Sequence, residues 1–189
     1  GKLDDLLQLP RSACTLCGAC IRACPTGAKQ FVAEHYTPTD ILAAVQAETV
    51  FFDESGGGVT FSGGECLTHA VFLEEACRIL QENGIHTAID TCGAVPWSSI
   101  ERVLPYADLF LYDIKKMDPV LHKAYTGIDN TQILNNLKRL THADAKLIIR
   151  VPLIPGYTDS QDDIRQIGLF LRDELQLKIE RCELLPYNK

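Results

Sequence analysis

The sequence has no apolar run approaching the ~18 residues that a membrane-spanning helix needs. It has no excess of basic residues either. Lys and Arg number 18 against 25 Asp and Glu, a formal charge of −7, so neither a membrane nor a nucleic acid is the expected partner. The opening residues, Gly1-Lys2-Leu3-Asp4-Asp5, carry no basic flank and no apolar core, so they are not read as a secretory signal. Low-complexity tracts are missing too. With 46% hydrophobic and 23% charged residues, the composition is globular and excludes disorder and collagen-like architecture.

What the sequence does have is cysteine. There are eight, and Cys14, Cys17, Cys20 and Cys24 are crowded at the spacing C-x2-C-x2-C-x3-C-P, ending at Pro25. Crowding of this kind points to metal binding in a reducing, cytoplasmic compartment rather than to a disulfide framework. The spacing is that of the bacterial ferredoxin run, whose thiolates hold a [4Fe-4S] cluster, with zinc as the competing reading. In two-cluster ferredoxins the fourth cysteine serves the other cluster. No second run exists here, so Cys24 either completes this cluster or has lost its partner. Cys77 and Cys182 read as buried core, and Cys66 and Cys92 as structural. The five histidines show no metal spacing; His122 and His142 are expected to face solvent.

Composition shifts near residue 36. The expected division is a partial ferredoxin-type module over residues 1–36 and an α/β domain over 37–189. In the second part, Thr37-Pro38-Thr39-Asp40 reads as a helix start. Strands are expected at Val59-Thr60-Phe61 and over residues 85–90, 109–114, 146–151 and 179–185. Helices are expected over residues 70–83, 96–104 and 160–175, and from Pro119 and Thr131, where Ile133, Leu134, Leu137 and Leu140 recur at helical spacing. Strands alternating with helices predict a parallel sheet. Roughly 28 residues per strand match a βα unit, and an eight-stranded barrel needs ~250 residues. A partial barrel or an open curved sheet remains.

Polar residues recur at the carboxyl ends of these strands, where parallel α/β folds build their sites. Ser62-Gly63-Gly64-Glu65 follows the first, Asp90-Thr91 ends the second, Asp113 and Lys115 end the third, and Arg150 lies near the end of the fourth. Pro186-Tyr187-Asn188 follows the fifth. A single such residue would usually cap the next helix; recurrence across the strands argues for a shared cleft. Gly63 and Gly64 allow close backbone approach, Glu65 and Asp90 suit an ammonium or hydroxyls, and Lys115 and Arg150 suit a carboxylate. A zwitterionic, ribose-bearing ligand fits that mixture.

The stretch Phe51-Phe52-Asp53-Glu54-Ser55-Gly56-Gly57-Gly58-Val59-Thr60-Phe61-Ser62-Gly63-Gly64-Glu65 resembles the signature of glycyl-radical-enzyme activating enzymes, the radical S-adenosylmethionine (SAM) proteins of the pyruvate formate-lyase activating type. The resemblance runs on through residues 90–93, 108–115, 149–156 and 184–187, and the cysteine run resembles an insert carried by a subset of them. It implies that Gly63, Gly64 and Glu65 hold the methionine amino end of SAM, that Ser62 belongs to the same binding site, and that Asp90 and Lys115 contact SAM. Asp113, with Asp90 and Thr91, would bind a monovalent cation near the SAM carboxylate. Arg150 and Val151 would line the methionyl and ribose side. The implied chemistry is reductive cleavage of SAM to a 5′-deoxyadenosyl radical that takes hydrogen from a glycine of a partner glycyl radical enzyme, with flavodoxin or ferredoxin as electron donor.

The sequence also departs from that pattern. The family's radical cluster is held by a C-x3-C-x2-C loop, and no such spacing occurs here. The first strand of the family's six-stranded partial barrel has no counterpart. Cys66 stands where the family has Pro, and Asn188 where it often has His. The resulting expectation is an internal piece of an activating enzyme, inactive by itself. Two other classes stay open: a ferredoxin-like electron carrier fused to a non-catalytic domain, and a SAM- or partner-binding protein without activity.

Overall fold

A computed structural model describes residues 14–15, 17–31 and 35–187. The expected roles of residues 1–13 and Asn188 lie outside the described residues. The chain divides into two compact units, residues 1–36 and 37–189.

In the first unit the described regular element is one short helix, α1 (Ala19–Arg22), entered at Gly18. In the second, α2 (Pro38–Gln46) opens with a reciprocal capping box: the Asp40 amide donates to Thr37 Oγ1 at 3.2 Å, and the Thr37 amide donates to Asp40 Oδ2 at 2.8 Å. Both donors are otherwise orphaned at a helix start. A helix not expected from the sequence, α3 (Thr49–Ser55), follows and stops at Gly56. Its glycine-rich tail obscured it: the glycines terminate a helix before they lead into a strand.

Five strands then alternate with helices: β1 (Gly58–Phe61), α4 (Ala70–Glu82), β2 (His86–Thr91), α5 (Trp97–Val103), β3 (Leu109–Asp113), α6 (Pro119–Thr126), α7 (Thr131–His142), β4 (Leu147–Leu153), α8 (Gln161–Asp173) and β5 (Arg181–Pro186). All pairs are parallel, and the order is β1-β2-β3-β4-β5. The expected open five-stranded α/β sheet is therefore present.

Right-handed crossovers between sequential parallel neighbours put the helices on one face. Burial follows. Ile89, Phe110, Tyr112, Leu147, Ile149 and Val151 pack with Leu73, Ile100, Leu137 and Phe170 from the helices. The alternate residues form the other face, where Leu109, Leu111, Asp113 and Arg150 are only half-buried. The cleft opens on that face.

Two expectations about exposure fail. His122 is buried, its Nδ1 2.8 Å from the Ile128 carbonyl and 3.0 Å from Thr126 Oγ1. It secures the turn after α6 instead of facing water. Cys182 is exposed, because β5 is an edge strand whose residues are mostly left uncovered.

Candidate active site

Ladder register brings the strand-end residues together. Asp113 pairs with Arg150 across β3 and β4, and Asp90 with Leu111 across β2 and β3. Period-2 alternation then puts Asp90, Asp113 and Arg150 on one face. They line a cleft of about 380 Å³ with Ser62, Gly63, Gly64, Glu65, Thr91, Lys115 and a residue not predicted for the site, Cys92. Val151 does not line it. Its side chain is fully buried in the helix-side core, one residue on from Arg150 and so on the opposite face.

Arg150 is the hub of one half. Its Nε and Nη2 donate to Asp113 Oδ1 at 3.0 and 2.9 Å, and Nη2 also donates to Asp90 Oδ1. Ser62 Oγ donates to the other Asp90 oxygen at 3.1 Å. Partial burial works against the Arg150 charge, but the two aspartates outweigh it and raise its pKa. The guanidinium is thus committed to two carboxylates and is not the free carboxylate receptor that the sequence suggested.

Glu65 is the hub of the other half. Its Oε1 accepts from Thr91 Oγ1 at 2.7 Å and from the Leu67 amide at 3.2 Å. Its Oε2 accepts from the Cys92 amide at 3.1 Å and from Cys92 Sγ at 3.2 Å. A carboxylate offers about four lone-pair sites, and four donors fill them. Glu65 therefore ties the loop after β1 to the loop after β2, and its side chain is not open to a ligand ammonium. Burial, together with the Glu65 carboxylate, raises the Cys92 thiol pKa. Burial and the charges of Glu65 and Asp90 push Cys66 up to about 12. Cys66 Sγ donates to the Phe61 and Asp90 carbonyls at 3.5 and 3.4 Å, which is the structural use expected of it.

What remains free is specific. Lys115 is half-buried and makes no hydrogen bond or ion pair among the described residues, while lining the cleft. Gly63 adopts φ 132°, a conformation essentially closed to other residues, and a Cβ on either Gly63 or Gly64 would meet nothing within 4 Å. The cleft thus offers one unspent cation beside open backbone. Three carboxylates and two cations leave it one negative charge, suited to a ligand of net positive charge that also carries a carboxylate.

Cys14, Cys17 and Cys20 are exposed and Cys24 is partly so. Hydrogen bonds from Thr26 and neighbouring backbone amides bring the Cys24 pKa down to about 7, and the Ala19 amide and Thr15 lower that of Cys17. Lowered thiols suit thiolate ligation. Among the described residues no three Cys, His, Asp or Glu side chains converge as a metal cage; such sites commonly assemble only with the metal. The donor chemistry fits a cluster.

The sequence and fold match one class. The sequence profile of the Radical SAM superfamily covers residues 13–167, and the chain belongs to that superfamily. Within it, the chain is similar to enzymes named as activating enzymes. It is 37% identical to the isethionate sulfite-lyase activating enzyme of Oleidesulfovibrio alaskensis, over 98% of this chain and 60% of that one. It is 38% identical to the trans-4-hydroxy-L-proline dehydratase activating enzyme of Clostridioides difficile, over 93% of this chain and 68% of that one. Among solved structures, a domain of a pyruvate-formate lyase-activating enzyme from Bacteroides vulgatus superposes with a TM-score of 0.65 at 35% identity, over 70% of this chain and 82% of that domain. The chain spans about 60% of the length of the isethionate relatives.

Proposed function

We propose that this chain is the SAM-binding part of an activating enzyme that installs a glycyl radical on a partner enzyme. The observation that carries the reading is the unspent Lys115 ammonium lining the same cleft as Ser62 and the open backbone of Gly63 and Gly64, in a superfamily whose reaction uses SAM. Lys115 holds the SAM carboxylate. The Ser62–Gly64 backbone and Asp90 take the amino group. Arg150 keeps Asp90 and Asp113 in place, and Glu65 with Thr91 fixes the loops on either side.

A monovalent cation at Asp90, Asp113 and Thr91 is part of the reading, and Arg150 competes with it for the aspartate oxygens. Cys14, Cys17, Cys20 and Cys24 hold an auxiliary [4Fe-4S] cluster, a role supported by their spacing and by the lowered thiols of Cys17 and Cys24. When bound, the family's radical cluster supplies the electron that cleaves SAM, and its C-x3-C-x2-C ligands are not in this sequence. The partner is a glycyl radical enzyme, with flavodoxin or ferredoxin as the electron donor and the cytoplasm as the site of action. None of the described helices is long and apolar enough to cross a membrane.

The reading is tested by SAM titration of the chain and its Lys115→Met variant. Binding that is lost or weakened in the variant supports it. Absence of binding in the unaltered chain, or equal binding in both, overturns it.

A further inference from the structure

We propose that Asn136, on α7 and outside the cleft lining, is a positioning residue that sets Glu65 through the turn Cys92–Val95. The inference rests on the reading of the cleft as a SAM site only for its functional consequence; the chain of contacts stands by itself.

Asn136 is 3% exposed. Its Nδ2 donates to two carbonyls of the turn, Gly93 at 2.9 Å and Val95 at 2.8 Å. Gly93, at φ 69°, sits against Tyr112: a Cβ there would fall 1.7 Å from the phenol oxygen. Tyr112 is itself fixed, its hydroxyl donating to the Ile133 carbonyl of α7 at 2.7 Å. The turn is therefore wedged between a β3 side chain and an α7 amide, with both supports anchored on the same helix. From the turn, the Gly93 amide donates to Thr91 Oγ1 at 2.8 Å. That bond orients the hydroxyl so that its proton points to Glu65 Oε1, while Cys92 presents its amide and thiol to Oε2. Three of the four donors on Glu65 are thus aimed by one turn, and Asn136 holds that turn in register.

Polar groups buried this way are costly to leave unpaired, so an apolar core alone would not specify the turn. A leucine at position 136 would extend the apolar stripe of Ile133, Leu137 and Leu140, but it would orphan two carbonyls. The cleft would then lose the cross-link between its first two loops, although no lining residue had changed.

The test reads the Cys92 thiol, which the turn holds on Glu65. Iodoacetamide alkylation of the chain is followed by peptide mapping, which separates Cys92 from the exposed cysteines. Asn136→Ala is expected to speed alkylation of Cys92 by about tenfold or more. Leu140→Ala, a core change on the same helix that also lowers thermal stability, is expected to leave the rate within about twofold. An unchanged Cys92 rate in Asn136→Ala, or an equal rise in Leu140→Ala, overturns the proposal. Should Asn136→Ala fail to fold, the other end of the relay decides: Thr91→Val is expected to release Cys92 and Thr91→Ser to restore protection, and equal rates in the two overturn it. SAM titration of the same variants keeps the two readings apart. If the unaltered chain binds no SAM, the functional reading fails while the thiol rates still decide this one.

Discussion

Asp163 and Lys116 form the most buried ion pair among the described residues, Nζ to Oδ2 2.7 Å with both side chains under 10% exposed. Lys116, in the loop after β3, also donates to the Tyr157 carbonyl at 3.0 Å, so it fastens that loop to the loop after β4 and to the first turn of α8. Burial pushes the Asp163 carboxyl up, but hydrogen bonds from Lys116 and Ser160 outweigh it and the pKa is lowered. A depressed folded value means that this stabilisation is present above the unfolded value of ~3.9 and disappears as pH falls through the folded one. Asp163→Asn leaves the Lys116 charge buried without its counter-ion, so it should lose about 3–5 kcal/mol at pH 7. Urea denaturation at pH 7 and again below pH 4 checks this: the deficit should shrink in acid, and a deficit independent of pH would deny the pair its role. At this scale the site was only half legible in the sequence. Residue type and strand-end position marked Glu65, Asp90, Asp113, Lys115 and Arg150, but not which would be consumed by one another. That depends on register, which pairs Asp113 with Arg150. Cys92 escaped because its thiol becomes a cleft donor only through the Glu65 contact. Asn136 is marked in the sequence by its type, a polar residue set among Ile133, Leu137 and Leu140 on α7.

The elements themselves were largely written in local chemistry. Thr37-Pro38-Thr39-Asp40 announced α2, and the apolar stripes of α4 and α7 and the run at β3 each marked their element. The failures have tertiary causes. Cys182 read as core because β-strand residues of its type are usually covered, and edge position left it exposed. His122 read as a surface helix residue, and the Ile128 carbonyl buried it. Removing the capping box tests the local account: Thr37→Ala should cost about 1 kcal/mol, seen as a fall in the denaturation midpoint with an unchanged slope, whereas no change would mean that packing alone fixes the start of α2. The cysteine run is an element of a different kind, one whose order is expected to come from its metal. With all four thiolates on one cluster, anaerobic reconstitution should give a full four-iron complement that Cys24→Ala lowers, and substoichiometric iron in the unaltered chain would mean that Cys24 belongs to a second cluster. A full four-iron complement unaffected by Cys24→Ala would reveal another fourth ligand.

At the scale of the whole molecule, a one-sided sheet explains both the site and its incompleteness. Helices cover one face of β2–β4, and the cleft opens on the other, where among the described residues Lys115 alone of the lining charges has no partner. Cleaving SAM needs a three-cysteine cluster loop that this sequence does not contain, so residues 1–189 under strong reductant should form no 5′-deoxyadenosine. Stoichiometric product would require an unrecognised radical cluster. The claim beneath all of this is that the cleft after β1–β4 recognises SAM, with Lys115 as its carboxylate receptor. Isothermal titration of SAM into the chain tests it most directly: weak but saturable binding, reduced about tenfold or more by Lys115→Met, is the result the account predicts. Binding indifferent to Lys115→Met, or no binding by the unaltered chain, would contradict it.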